Sequence, residues 1–250
     1  MIVMILYILV IVVWALLSLV AMAITALIDL LVGGGERRLT LKISYVVARM
    51  IYRLSPAWKV RIEGRENFPT DGRPYVITAN HQSFFDIPLM FFIPPRNGFN
   101  FVSKVEVRKI PAIGWMLGLR KDIVIQRGTT KAAAAVMEQG TKHLKGGTSV
   151  VIFPEGTRSK DGQVHLFKEG AFRLAQECGV DIVPCVLDGT PNLLTKRGLK
   201  RSILTLRILP TIKAEQIEGQ NPREVAQRVQ QLTAEALADL RERVKQPSGK

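Results

Sequence analysis

Two cysteines, Cys178 and Cys185, are all that this 250-residue chain contains. Neither stands at metal-ligand spacing from a histidine, so a disulfide framework and a zinc finger are both excluded and reduced, buried thiols are expected. Histidine is scarce as well, with His81, His143 and His165 the full set. His143 lies between Lys142 and Lys145 and His165 in a polar stretch, so both are expected to be solvated and no metal site is expected. Acidic residues are in deficit, 21 against 35 Lys and Arg, which leaves a net charge of +14. That excess suits anionic lipid, an anionic substrate or nucleic acid. No paired Cys/His finger, basic zipper or RRM aromatic signature is present, so nucleic acid is not an expected partner. Walker A, Gly-x-Gly-x-x-Gly and Gly-x-Ser-x-Gly sequences are missing too, which removes the usual signatures of nucleotide hydrolysis, dinucleotide redox chemistry and serine hydrolysis.

Charge is also missing from residues 1 to 28, and Asp29 is the first charged side chain. The run exceeds the roughly 20 apolar residues that cross a bilayer core. Ala21-Met22-Ala23 imitates a signal-peptide cleavage site, but no basic region precedes it and the apolar core is too long. A membrane-embedded helix is the expectation, with spanning and dipping into one leaflet both open. Gly33-Gly34-Gly35 favours a turn. Leu39, Ile43, Val46, Val47, Met50, Ile51 and Leu54 then recur at helical spacing, with Arg37, Lys42, Arg49 and Arg53 mostly between them. This is a basic amphipathic helix, which either lies in a membrane interface or packs on the following domain. Arg37, Arg38 and Lys42 put that end on the cytoplasmic side. Ser55-Pro56 ends the helix, giving expected boundaries of 1–55 for the membrane-binding two-helix unit and 56–246 for a second domain.

From residue 56 onward, strand and helix patterns alternate. Strands are expected at 59–64, 74–79, 99–103, 122–127, 148–153, 181–187 and 203–212. Helices are expected at 87–93, 105–117, 129–144 and 168–178, with a last one from Pro222. Asn221-Pro222-Arg223-Glu224 reads there as N-cap, N1 proline and N3 glutamate. Such alternation predicts an α/β fold with a mixed, largely parallel sheet flanked by helices.

In such sheets the functional residues gather where strands end. Asn80-His81-Gln82-Ser83-Phe84-Phe85-Asp86 follows the strand 74–79. His81 and Asp86 could form a general base and its orienting partner, but in one regular α-helix they would sit about 140° apart. They meet only if the backbone turns between them. The alternatives are a hydrogen-bonded structural histidine and a helix N-cap at Asp86, ahead of Ile87-Pro88. Lys104, Arg127 and Arg158 also lie at strand ends. Singly each reads as a solvated cation or ion-pair partner; convergent, they would hold a phosphate dianion. Gly156 and Thr157 would add backbone N–H groups.

Together these segments resemble the glycerolipid acyltransferase superfamily, and most closely its 1-acylglycerol-3-phosphate acyltransferases. Asn80 through Asp86 matches the family's Asn-His-x-x-x-x-Asp motif. Ser103-Lys104-Val105-Glu106 through Pro111, Gly114, Gly118 and Arg127 resembles a second block. Phe153-Pro154-Glu155-Gly156-Thr157-Arg158-Ser159 matches a third, and Ile182-Val183-Pro184 resembles a fourth. Gln126 departs from the acidic residue that often precedes the arginine, and Cys185 from the usual Val or Ile. The resemblance implies a glycerol-3-phosphate acyltransferase-like fold, with His81 and Asp86 catalytic, Lys104, Arg127 and Arg158 binding the acceptor phosphate, and Glu155, Gly156 and Thr157 completing the acceptor pocket. It implies acyl transfer from acyl-CoA or acyl carrier protein, as a co-substrate, to a lysophospholipid at the membrane, with no metal or bound cofactor. Glycerol 3-phosphate and other lyso-lipids are alternative acceptors. A non-catalytic membrane protein binding anionic lipid or nucleic acid is the distant alternative.

Overall fold

The computed structural model describes residues 2–32, 38–93, 98–110, 113–126, 130–195 and 198–245. Two helices come first, α1 (Ile2–Leu31) and α2 (Arg38–Arg53). The expected turn at Gly33-Gly34-Gly35 lies outside the described residues. Asp29, the first charged side chain of the chain, supplies the cap of α2. Its carboxylate accepts the Leu39 N–H at 3.1 Å, the Thr40 N–H at 2.9 Å and the Thr40 hydroxyl at 2.8 Å. A carboxylate at a helix N-terminus meets both the unpaired N–H groups and the positive end of the dipole. α1 is long and apolar enough to cross a membrane, and it presents Leu16, Leu17, Val20, Leu30 and Leu31 outward.

The strands that follow are β1 (Trp58–Glu63), β2 (Val76–Ala79), β3 (Phe99–Lys104), β4 (Ile123–Ile125), β5 (Ser149–Ile152) and β6 (Ile182–Asp188). A two-stranded hairpin of β7 (Leu194–Thr195) and β8 (Gly198–Leu199) precedes β9 (Ser202–Ile208). Seven strands form one sheet in the order β1-β9-β6-β2-β5-β3-β4. Every neighbouring pair is parallel except β6 with β9. The mixed, largely parallel sheet expected from the sequence is therefore present.

Parallel strands need crossovers, and the helices that make them cover both sheet faces. Along the central strands successive residues consequently enter opposite cores. Ile77, Ala79, Val151, Val183, Cys185 and Leu187 pack with α2 and with α3 (Asp86–Met90). Val76, Val150, Ile152 and Ile182 pack with α5 (Thr130–Lys145), α6 (Gly170–Cys178) and the start of α7 (Pro222–Lys245); α4 (Ile113–Arg120) precedes β4. Burial on both faces is why these strands are apolar throughout and not alternating. α7 begins as expected, with the Asn221 side chain accepting the Arg223 N–H at 2.9 Å. Its buried face includes Val225, Val229, Thr233, Leu237 and Leu240, and Leu232 is exposed.

α2 belongs to the core. Its buried face is Leu41, Ser44, Tyr45, Ala48 and Tyr52, while Leu39 and Val46 of the expected stripe are exposed. Fully burying an apolar side chain contributes about 1.5–3 kcal/mol, so this face fastens α2 to the sheet. A buried guanidinium reinforces it: Arg120 donates to Asp122 Oδ2 at 2.9 Å, to the Phe99 carbonyl at 2.6 Å and to the Ser44 hydroxyl of α2. Removing either member of such a buried pair strands the other and costs about 3–5 kcal/mol.

Candidate active site

The four strands β2, β5, β3 and β4 are adjacent and mutually parallel, so their C-terminal ends share one edge. The first of them delivers His81, the second Glu155 to Arg158, and the third ends on Lys104. Arg127 follows β4 in sequence and lies outside the described residues. At about 4.8 Å per strand, the β2 and β3 ends are roughly 10 Å apart, the scale of one small substrate.

Between β2 and α3 the chain makes the turn that brings His81 and Asp86 together. His81 Nδ1 lies 2.8 Å from Asp86 Oδ2. The Gln82 and Ser83 N–H groups donate to the same oxygen at 2.5 and 2.7 Å. Oδ1 accepts the Thr190 hydroxyl. Four donors thus converge on a carboxylate that is 0% exposed, and charge-assisted hydrogen bonds of this kind compensate its loss of water. Asp86 is the first residue of α3, and its carboxylate turns back toward the preceding turn. The N-cap expectation is therefore corrected: Phe85 occupies that position and no side chain caps the helix. Because the carboxylate can only accept, Nδ1 carries the imidazole proton and Nε2 is left with a lone pair.

The rest of the turn is fixed from three sides. Asn80 bonds the β6 backbone twice, donating to the Leu187 carbonyl at 2.9 Å and accepting the Leu187 N–H at 2.8 Å. The His81 ring stacks on Phe153, centroids 4.2 Å apart and planes 19° from parallel. From α2, Tyr52 donates its hydroxyl proton to the Phe85 carbonyl, and Arg49 Nε donates to the Phe91 carbonyl at 2.9 Å. The helix next to the apolar segment therefore touches the residue preceding Asp86.

Glu155, expected in the acceptor pocket, has both carboxylate oxygens in hydrogen bonds to backbone. Its Oε1 accepts the His81 N–H at 2.8 Å and its Oε2 the His165 N–H at 3.2 Å, so the side chain braces the two loops together. Burial raises its pKa above the ordinary glutamate value, and those N–H groups partly offset the rise. Gly156 adopts φ +70°, and its N–H closes a turn on the Phe153 carbonyl at 3.0 Å. That donor is spent within the turn. Thr157 and Arg158 are exposed, and the Arg158 guanidinium carbon lies 3.9 Å from the Phe84 ring centroid. Lys104 is exposed at the end of β3. His165 is exposed as expected, whereas His143 is half-buried and burial lowers its pKa.

Thr190 and Phe153 are the site residues that reading the sequence did not single out for a role. Thr190 follows Gly189, whose φ is +83° and where a Cβ would come within 2.1 Å of the Ile203 carbonyl oxygen. Only glycine allows that approach, and the resulting turn carries Thr190 under Asp86.

A family model described as Acyltransferase matches residues 59–188. A chloroplastic 1-acyl-sn-glycerol-3-phosphate acyltransferase of Arabidopsis thaliana is 37% identical over 155 residues, 61% of this chain and 43% of that protein. The enzyme of that name from Escherichia coli is 31% identical over 197 residues, 76% of this chain and 78% of that one. This chain thus matches less than half the length of the plant relative and about three quarters of the bacterial one. The crystal structure of a 1-acyl-sn-glycerophosphate acyltransferase from Thermotoga maritima superposes with a TM-score of 0.68 at 25% identity, covering 94% of this chain and 98% of that one.

Proposed function

This chain belongs to the acyltransferase family, and on that premise we propose that it moves an acyl chain from a thioester to the sn-2 hydroxyl of 1-acylglycerol-3-phosphate, making phosphatidic acid. The observation that carries the reading is the His81–Asp86 hydrogen bond at the C-terminal edge of the sheet. With Nδ1–H held by Asp86, Nε2 takes the proton from the acceptor hydroxyl as the oxygen attacks the thioester carbonyl carbon. Collapse of the tetrahedral adduct breaks the C–S bond, and the departing thiolate recovers the proton from Nε2. The products are the ester and a free thiol, and no acyl-enzyme forms. The Asp86 carboxylate stabilises the imidazolium that exists between the two transfers.

Lys104, Arg127 and Arg158 hold the acceptor's phosphate in this reading, and the acyl carrier, coenzyme A or acyl carrier protein, enters as a co-substrate with no bound cofactor. Exposed apolar side chains on α1, together with Leu39 and Val46 of α2, support membrane attachment, where both lipid substrates are concentrated. The basic residues that follow the apolar segment in sequence support an active site on the cytoplasmic face. The test is to supply the purified chain, in vesicles, with acyl-CoA or acyl carrier protein thioester and a panel of acceptors, and to follow thiol release. Release that depends on lysophosphatidate is expected. Release only with glycerol 3-phosphate or with another lyso-lipid would replace the acceptor, and none with any acceptor would reject the activity.

A further inference from the structure

Gly156 owes its identity to its turn, at φ +70°, and its bare backbone has a cationic neighbour. A Cβ placed there would lie 2.9 Å from the Lys168 ammonium nitrogen and 3.2 Å from its Cε. Lys168 thus lies across the bare backbone of the Phe153–Ser159 block, and its own N–H fixes it there by donating to the Pro154 carbonyl at 2.9 Å. The side chain is exposed, and among the described residues it has no ion-pair partner. The adjacent carboxylate, Glu169, is taken by Arg173 at 2.6 Å. Beneath Lys168 opens a cavity of about 420 Å³ whose inner wall is Val102, Ile125, Val136, Met137 and Ile152. Phe153, whose ring stacks on His81, is part of that wall as well. A free ammonium therefore stands at the mouth of an apolar cavity, one aromatic ring away from the imidazole.

We infer that Lys168 is a further phosphate-binding residue of this enzyme, holding a phosphate ester of one of the two substrates above the turn at Gly156. The inference rests on the acyl-transfer reading, in which both substrates carry a phosphate and an apolar chain. An ammonium on a flexible stem suits such a group as a point charge. The lysophosphatidate headgroup and the phosphodiester of the acyl carrier share this chemistry, and kinetics separates them.

The experiment uses the full chain in vesicles, with Lys168→Met to remove the charge at similar length and Lys168→Arg to keep it. In one arm lysophosphatidate is compared with monoacylglycerol as acceptor; in the other acyl-CoA is compared with acyl-pantetheine, which lacks phosphate. Lys168→Met should raise KM about ten- to hundredfold for the phosphate-bearing substrate of one arm, leave its phosphate-free partner unchanged and keep kcat. Lys168→Arg should recover most of the loss. The arm that responds names the substrate. Unchanged discrimination in both arms, with wild-type turnover intact, overturns the role of Lys168 alone. Absence of turnover by the wild-type chain overturns the acyl-transfer reading and this inference with it. A fall in kcat with both KM values unchanged also contradicts the inference.

Discussion

The His81–Asp86 corner and the row of cations beside it occupy one edge of the sheet and are built in opposite ways. At the corner the groups are buried, and the hydrogen-bonding atoms of Asp86 and Asn80 are matched by donors and acceptors from two stretches of chain, residues 81–83 and 187–190. In the row, Lys104, Arg158 and Lys168 are exposed, and among the described residues Arg158 rests on an aromatic ring and has no carboxylate partner. Proton transfer needs a geometry set in advance, because reorganisation at the moment of reaction adds to the barrier. A phosphate can be followed by long side chains that stay hydrated until it arrives. Damage to the corner should therefore appear in kcat and damage to the row in KM.

Asp86→Asn should disable the corner most severely. An amide cannot accept at both positions, so a donor would face unpaired N–H groups and the imidazole would lose its held tautomer. A fall in kcat of about 10² to 10⁴ is expected, read by thiol release at saturating substrates. Thr190→Val removes one of the four donors and leaves Asp86 Oδ1 unpaired in a buried place. That should lower kcat about tenfold with little change in KM; a pure KM effect would move Thr190 into the binding row. Arg158→Ala should show the reverse, an acceptor KM about tenfold higher at near wild-type kcat. The lost contact with Phe84 should cost no more than about 1 kcal/mol of stability at an exposed position, which thermal melting will register.

Glu155→Gln gives the smallest and most specific effect. Burial holds the Glu155 carboxyl above the ordinary range, against the two backbone N–H groups that lower it. The native chain then keeps this proton to higher pH than the unfolded chain. Its stabilisation is complete below the ordinary glutamate pKa and is given up as pH rises through the raised one. Across that window the wild type should lose Tm relative to Glu155→Gln, and parallel curves would deny the assignment.

Much of this edge is legible in the residues alone. Thr148 to Phe153 reads as a strand, and a histidine and an aspartate with four residues between them require a turn if they are to meet. Other features are not legible for physical reasons. Thr190 reaches Asp86 across 104 positions, through a contact that only the fold creates. The inner face of α2 is misread because Thr40 and Ser44 on it look like solvent residues. They are buried because Asp29, the Leu41 carbonyl and Arg120 satisfy their hydroxyls. Asp86 looks like an N-cap since it precedes Ile87-Pro88, yet four donors on its other side draw the carboxylate backward. Glu155 sits in a motif that suggests substrate contact, and only coordinates show both of its oxygens taken by backbone.

The division between a fixed corner and an adaptable row rests on His81 acting as the base. Its most direct test is the His81→Ala chain in vesicles, with thiol release at saturating lysophosphatidate measured beside equilibrium binding of the same acceptor. Turnover reduced by about 10² to 10⁴, with acceptor binding retained, is the predicted result. Wild-type turnover, or lost turnover traced entirely to lost acceptor binding, would contradict it.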